Sequence, residues 1–268
     1  MGAKADHWRG KWAVVTGASS GIGQAFAEQL AAGGTHLVLT ARRRGRLLRL
    51  RNRLRGTYGT RVEAVAADLA QPDAPDRIFN FTGRRAIAVD LLVNNAGVGS
   101  YGEFRASDPA RELEIVQVNC AAMVHLTRLY LPGMVERGAG DILIVASTGA
   151  YQGCPYMATY GASKAFDLLF AEALAEEVSG HGVRVCALCP GPTATEFQQA
   201  AGIPQRIAMG LEEPPAKVAR AGLRALESGE HSVISGFTNR VGAEIQRVLP
   251  RRFATAAVEM LLRPAVQR

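Results

Sequence analysis

Cysteine is scarce in this chain: four among 268 residues, at Cys120, Cys154, Cys186 and Cys189. Cys186 and Cys189 have Cys-x-x-Cys spacing, but they sit in Val183-Arg-Val-Cys-Ala-Leu-Cys189, which reads as a buried strand. Strand residues three apart face opposite ways, which argues against a shared metal or an easy disulfide. No second pair completes a zinc set, so no metal is expected. The four cysteines read as free thiols of a reducing cytoplasm. Long apolar runs are also missing. Nothing approaches the roughly 18 consecutive apolar residues of a membrane span, so no transmembrane helix is predicted. The start, Met1-Gly-Ala-Lys-Ala-Asp6-His-Trp, lacks the apolar core of a signal peptide. Met1-Gly2 suits myristoylation, but Asp6 stands where Ser or Thr is needed. Internal repeats, low-complexity linkers and clear domain boundaries are absent too.

What remains is an ordinary globular composition, 48 % hydrophobic and 21 % charged, with a formal net charge of +7. Strand and helix signals alternate. Lys11–Thr16, His36–Thr40, Arg61–Ala67, Val89–Val93, Asp141–Ala146, Val183–Cys189 and His231–Ser235 read as strands. That alternation predicts one α/β domain over 1–268, a doubly wound Rossmann-type parallel sheet of about seven strands with helices on both faces. Residues 198–215, rich in Gly and Pro, read as an insertion, either a substrate lid or a plain surface loop. Residues 240–268 read as two amphipathic helical pieces split at Pro250. Packing on the domain or on a second subunit is the preferred reading, a membrane surface the alternative.

Seven places carry chemistry. Gly17-Ala-Ser19-Ser20-Gly21-Ile22-Gly23 lies between the first strand and a helix, where backbone amides and the helix N-terminus can hold a pyrophosphate. The second strand ends at Ala41-Arg42-Arg43-Arg44 with no acid. Arg42 there favours a 2′-phosphate, hence NADP(H) over NAD. Eight arginines crowd residues 42–55. Leu47, Leu50 and Leu54 mark one apolar helical face, so the arginines read as its solvated side rather than a nucleic-acid patch. Asp68-Leu69 closes the third strand, where the acid is placed to accept from an adenine amino group. Asn94-Asn95-Ala96-Gly97 ends the fourth, as a tight exit beside a bound ring or a simple turn. A helix is predicted from Ser107 to about Leu131 with Asn119 in its middle, either exposed or placed for a purpose. Tyr160 and Lys164 share a helical face, with Phe166, Leu169 and Phe170 at helical spacing beyond them. An ammonium beside a phenol of ordinary pKa about 10 favours the phenolate and makes a proton donor for a carbonyl oxygen. Ser147 ends the fifth strand, where open α/β sheets bind ligands.

Assembled, these motifs resemble the short-chain dehydrogenase/reductase superfamily in its compact single-domain form, over roughly residues 10 to 200. The resemblance implies Asn119, Ser147, Tyr160 and Lys164 as the catalytic four. It implies cofactor contacts at Gly17, Ser19, Ser20, Gly21, Ile22, Gly23, Arg42, Asp68, Leu69, Asn95, Ala96 and Gly97. Tyr160, Lys164 and the Pro190-Gly191, Thr193 and Thr195 stretch complete that set. It further implies a homodimer or homotetramer. The extended epimerase-like members space their glycines differently, and the enoyl reductases place the lysine farther from the tyrosine. The expected activity is hydride transfer between NADP(H) and a small hydrophobic carbonyl or alcohol. A hydrophobic ketone, a steroid-like ring and an acyl chain all suit a site flanked by Tyr151, Tyr156, Met157 and Phe197. The rival is a dinucleotide-binding regulatory protein that does no chemistry.

Overall fold

A computed structural model describes residues 6–204, 207 and 212–264. The part of the predicted insertion at 205, 206 and 208–211, the myristoylation position and the last four residues lie outside them. Seven strands form one parallel sheet in the order β3-β2-β1-β4-β5-β6-β7. They are β1 Trp12–Thr16, β2 His36–Ala41, β3 Val62–Ala66, β4 Val89–Asn94, β5 Gly140–Val145, β6 Val183–Cys189 and β7 Ser232–Ile234. The order reverses between β1 and β4, and ligands of such sheets bind outside the strand C-termini at that switch point.

Alternation along the strands divides the core in two, because successive side chains point to opposite faces. Ala13, Val15, Leu37, Leu39, Leu91, Val93, Leu143 and Leu188 face one layer. There they meet Phe26 and Leu30 of α1 (Gly21–Ala32), Leu47, Leu50 and Leu54 of α2 (Arg44–Tyr58), and Leu223 and Leu226 near the chain's C-terminal third. Val14, Val38, Leu92, Ile142, Ile144, Val185 and Ala187 face the other. They meet Ile78 of α3 (Ala74–Gly83), then Leu126, Tyr130 and Met134, then Leu168, Ala171 and Ala175. Cys186 and Cys189 fall into different layers, as their spacing requires, and all four cysteines are free. The leucine face of α2 is buried as expected. Its arginines pair outward, Arg53 with Glu28 at 2.6 Å and Arg55 with Glu63 at 2.8 Å.

Three expectations change. The helix expected from Ser107 to about Leu131 is α4 (Pro109–Ile115), a π turn (Val116–Ala121) and α5 (Ala122–Glu136). Buried Leu126, Tyr130 and Met134 carry α5 past Pro132 to Glu136. Gln71-Pro72 reads in the sequence as the opening of a polar helix that runs to about Thr82, but α3 starts at Ala74, because Gln71 is spent in the preceding turn, its carbonyl accepting from the Ala74 amide at 3.1 Å. The Tyr160 helix, α6 (Ala158–Val178), is real, but its apolar spacing does not mark the core face. Phe166 and Leu169 are 44 % and 65 % exposed, and the rings of Phe166 and Phe170 stack at 6.0 Å. The buried face instead carries Gly161, Ser163, Lys164, Asp167, Leu168 and Ala171.

After β6 come α7 (Phe197–Ala201), α8 (Pro215–Glu227), β7, α9 (Phe237–Val248) and α10 (Arg251–Leu262). Pro250 stands between the last two. The α10 helix lies on the domain. Tyr156 Oη donates to Glu259 at 2.8 Å, and Tyr101 Oη donates to the Leu262 carbonyl at 2.7 Å. No helix among the described residues is long and apolar enough to cross a membrane.

Candidate active site

Thr16 ends β1 and organises the first part of the site. Its Oγ1 accepts from the Asn95 and Ala96 amides at 2.8 and 2.9 Å, and its carbonyl accepts from Asn95 Nδ2 at 2.8 Å. These bonds tie the exits of β1 and β4 together at the switch point. The Asn95 side chain is thus spent on the scaffold. Gly17 has φ +65°, in the left-handed region that favours glycine. At Gly23 a Cβ would collide with the Gly17 carbonyl and Asn95 Nδ2. The chain therefore turns tightly into α1, whose N-cap Ser20 makes no side-chain cap bond. First-turn amides left without a cap are what a pyrophosphate needs. Thr195, carried on the loop after β6, lies against Gly21, with its methyl 2.9 Å from where a Cβ would be. Pro190 and Gly191 join that loop to the site: the Pro190 carbonyl accepts from the Thr148 amide at 2.9 Å, and Gly191 packs on Asn239. Thr193 Oγ1 donates to the Gly191 carbonyl at 3.0 Å.

The arginines sort differently from the sequence reading. Arg42 turns to Glu114, 3.3 Å away. Arg43 is the residue beside the glycine loop: its guanidinium donates to Ser20 Oγ at 2.7 Å and to Ser19 Oγ at 3.1 Å. Glu196 bridges Arg43 and Arg46, at 2.6 Å each. A cleft of about 1440 Å³ runs past Ser19, Gly21, Arg46, Thr195 and Glu196. The glycine cradle and uncapped helix fit a nicotinamide dinucleotide, with the serine–arginine pair beside them. Asp68, at the end of β3, bonds its own turn through the Ala70 amide at 3.1 Å, and Leu69 is buried in the core.

The second part of the site gathers Asn119, Ser147, Tyr160 and Lys164. The π turn accounts for Asn119, which is 1 % exposed. Its Oδ1 accepts from the Val98 amide at 2.9 Å, and Nδ2 donates to the Val98 carbonyl at 3.0 Å and Ser163 Oγ at 2.8 Å. Single π turns inside helices re-aim side chains at functional places. Ser163 Oγ in turn donates to the Tyr160 carbonyl at 2.7 Å. Ser147 follows β5 and accepts from the Gly149 amide at 3.1 Å. Burial pushes the Tyr160 pKa up; the Lys164 charge and a hydrogen bond from Ser147 act against it without cancelling it. Desolvation is the larger of these influences and outweighs the ammonium that the spacing of four brings to the phenol. Lys164, 5 % exposed, donates to the Val145 carbonyl at 2.8 Å and to Asp167 Oδ2 at 2.9 Å.

Ser163, Asp167 and Glu196 are not marked by the sequence, which offers the first one or two arginines of the run, Arg42 and Arg43, to the cofactor without deciding between them. Asp167 lies three residues past Lys164 on the same helical face, a signal the sequence does contain. Arg43 and Glu196 meet only in three dimensions. Beside Tyr160 lies Phe197, the two ring centroids 5.2 Å apart; Met157 is buried just before α6, and Tyr156 is half-buried at φ +64°. Tyr151 lies below, against Cys189.

The short chain dehydrogenase family model matches residues 11–206. The very-long-chain 3-oxoacyl-CoA reductase of Mus musculus is 35 % identical over 192 residues, 70 % of this chain and 61 % of the relative. A Phaeosphaeria nodorum reductase of the same description is 38 % identical over 66 % of this chain and 53 % of its own. The chain thus spans only about half to six-tenths of these curated relatives. Among solved structures, a 7β-hydroxysteroid dehydrogenase superposes with TM-score 0.86 at 26 % identity, covering 96 % of this chain and 99 % of its own. A short-chain dehydrogenase from Sphingobium yanoikuyae in complex with NADPH gives TM-score 0.81 at 29 % identity, covering 96 % and 98 %. One from Burkholderia phymatum in complex with NAD gives 0.82 at 25 %, covering 97 % and 98 %.

Proposed function

The chain belongs to the short-chain dehydrogenase family, and from that premise we propose that it is an NADP(H)-dependent reductase of bulky hydrophobic ketones. The observation that carries the reading is the convergence of Ser147, Tyr160 and Lys164 beside the Phe197 ring. The cofactor supplies the hydride that adds to the carbonyl carbon, or takes it back in oxidation. Gly17, Gly21, Gly23 and the α1 N-terminus hold its pyrophosphate. Arg43, with Ser19 and Ser20, takes the 2′-phosphate, and Arg42 adds charge nearby. Asp68 and Leu69 flank the adenine, and Ala96, Gly97, Thr193 and Thr195 flank the nicotinamide end.

Ser147 donates to the substrate oxygen and fixes it beside the Tyr160 hydroxyl. Tyr160 gives that oxygen its proton and is the base in oxidation. Lys164 binds the ribose hydroxyls and steadies the phenolate left behind. Asn119 locks the helix turn that carries Ser163 and Tyr160 to the exit of β4. Tyr156, Met157 and Phe197 take the apolar body of the substrate. The four free thiols favour a cytoplasmic setting and the family a homo-oligomer. A 3-oxoacyl thioester, the substrate type named for the curated relatives, belongs in the same screen.

The test is nicotinamide fluorescence titration with NADPH and NADH, followed by turnover with bulky ketones, hydroxysteroid ketones and 3-oxoacyl thioesters. Tighter NADPH binding with turnover of a bulky ketone supports the reading. Binding without turnover of any carbonyl turns it toward the regulatory alternative.

A further inference from the structure

The whole sequence holds four lysines: Lys4, Lys11, Lys164 and Lys217. Lys11 and Lys217 are exposed, whereas Lys164 is 5 % exposed. An ammonium stripped of water tends to lose its proton unless a counter-charge holds it. Lys164 has that counter-charge on its own helix, in Asp167, itself 2 % exposed.

The geometry is specific. An ammonium has three donors. One goes to Val145 at the end of β5 and one to Asp167 Oδ2, from opposite elements. One is left on the side of Gly97 and Tyr160, where Nζ stands 3.4 Å from the position a Cβ would take at Gly97 and 6.0 Å from the Tyr160 ring centroid. Asp167 gains little for itself by being there. Its other oxygen, Oδ1, is buried without a hydrogen-bond partner, and the neighbouring buried residues Leu168 and Ala171 belong to the apolar layer. A leucine at 167 would suit that layer better than a carboxylate with an orphan oxygen. The residue makes sense through Lys164.

We propose that Asp167 is a positioning residue of the active site, the fixed counter-charge that keeps Lys164 an ammonium and leaves one of its N–H bonds for the cofactor cleft. This rests on the reading of Lys164 as part of a carbonyl-reducing site.

The groups facing the pair support the assignment of charge. Tyr160 lies one turn before Lys164. Cys120 comes from the π turn, Cys154 from the segment before α6 and Cys189 from β6, with Glu172 farther along α6. Burial pushes Cys120 and Cys154 up to about 11 and Cys189 up to about 12, so these thiols stay neutral at physiological pH. Tyr160 is likewise held protonated. Burial pushes the Asp167 pKa up as well, and the Lys164 charge and hydrogen bond act against it; as the one carboxyl among the described residues in contact with Lys164 it ionises before the thiols and the phenol and is the anion beside the ammonium. Burial works to lower the Lys164 pKa, and the charge and hydrogen bond of Asp167 lift it above the ordinary lysine value.

The experiment labels the protein with lysine carrying ¹³C at Cε and follows the four signals against pH by NMR, with Lys164→Arg identifying the signal of Lys164. In the wild-type protein Lys164 is expected to keep its proton above the midpoints of Lys11 and Lys217. In Asp167→Asn, which keeps shape and removes charge, the Lys164 midpoint should fall by about one pH unit or more. In the oxidation of a secondary alcohol, the wild-type rate should rise with pH to a plateau. The variant rate should turn down again on the alkaline side as Lys164 loses its proton. A role in stability alone would lower the melting temperature and leave midpoint and profile shape alone, and that result overturns the proposal. If Asp167→Asn does not fold, the wild-type titration decides: a Lys164 midpoint below those of the exposed lysines overturns it. The lysine titration needs no turnover. Failure of NADPH binding would remove the functional reading while leaving the Asp167–Lys164 result legible.

Discussion

Tyr160→Phe removes one hydroxyl and keeps the ring that packs against Phe197. Its expected effect is a loss of about 10²-fold or more in turnover with NADPH affinity retained, because only the acid–base group is gone. Steady-state kinetics paired with a fluorescence titration check this, and unchanged turnover would remove Tyr160 from the mechanism. The pH dependence has a definite sign. Reduction needs Tyr160 protonated, and burial holds its pKa above the ordinary phenol value. Activity is therefore present below that pKa and lost as pH rises through it. kcat/KM for reduction should stay flat through neutral pH and fall only in the alkaline range; a fall near neutrality would show that Lys164 outweighs burial. The arginines give a third case. Arg43 bonds both Ser19 and Ser20, whereas Arg42 is committed to Glu114. Arg43→Ala should weaken NADPH more than NADH, and by a larger factor than Arg42→Ala does. Equal losses for both cofactors would show that neither arginine reads the 2′-phosphate. The sequence made the Tyr–Lys pair legible because a spacing of four fixes a shared helical face. It offered Arg42 and Arg43 without deciding between them because which arginine turns to the glycine loop depends on how α2 starts, and no periodicity encodes that.

At the scale of elements, period-two and period-3.6 patterns carried most of the fold, since each strand and helix has a face to bury. The leucines at 47, 50 and 54 mark α2 correctly, and all three are buried. Where a helix has polar residues inside and apolar ones outside, the same rule misleads. In α6 the inward face is given to Lys164 and Asp167 for the site, and Phe166 and Leu169 are left in solvent. The π turn at Asn119 was equally out of reach, because one extra residue in a turn leaves no compositional trace. The glycine turn offers a test at this scale. A Cβ at residue 23 would collide with the Gly17 carbonyl and the Asn95 amide. Gly23→Ala should then push the two strand exits apart, lowering the melting temperature and weakening NADPH together. Gly45→Ala on exposed α2, whose Cβ meets only Arg49 Nη1 at 3.7 Å, should keep NADPH affinity and hold or raise the melting temperature. Similar behaviour of the two variants in thermal denaturation and cofactor titration would dissociate the tight turn from the site.

At the scale of the whole molecule, the apolar residues left outside α6 have company. Leu113 on α4 is 69 % exposed and Val116 in the π turn 45 %. These elements pack beside α6, so Leu113, Val116, Phe166 and Leu169 crowd the outside of the helices whose inner faces hold Asn119, Tyr160 and Lys164. Exposed apolar clusters of this kind mark interfaces, and a second copy of the same surface would be self-complementary about a two-fold axis. The expected wild-type species is a homodimer or homotetramer. Leu169→Glu sets a charge at the most exposed apolar position of α6, and paired across a two-fold it sets two like charges near each other. Light scattering after size exclusion should show the variant at a smaller mass than the wild-type protein. A monomeric wild type would remove this face as an interface. Residue 169 points away from Lys164 and Asp167, so the variant should keep NADPH affinity within a few-fold while it loses thermal stability. That split would mean the assembly holds α6 in place from outside, while the buried ion pair holds the chemistry from within.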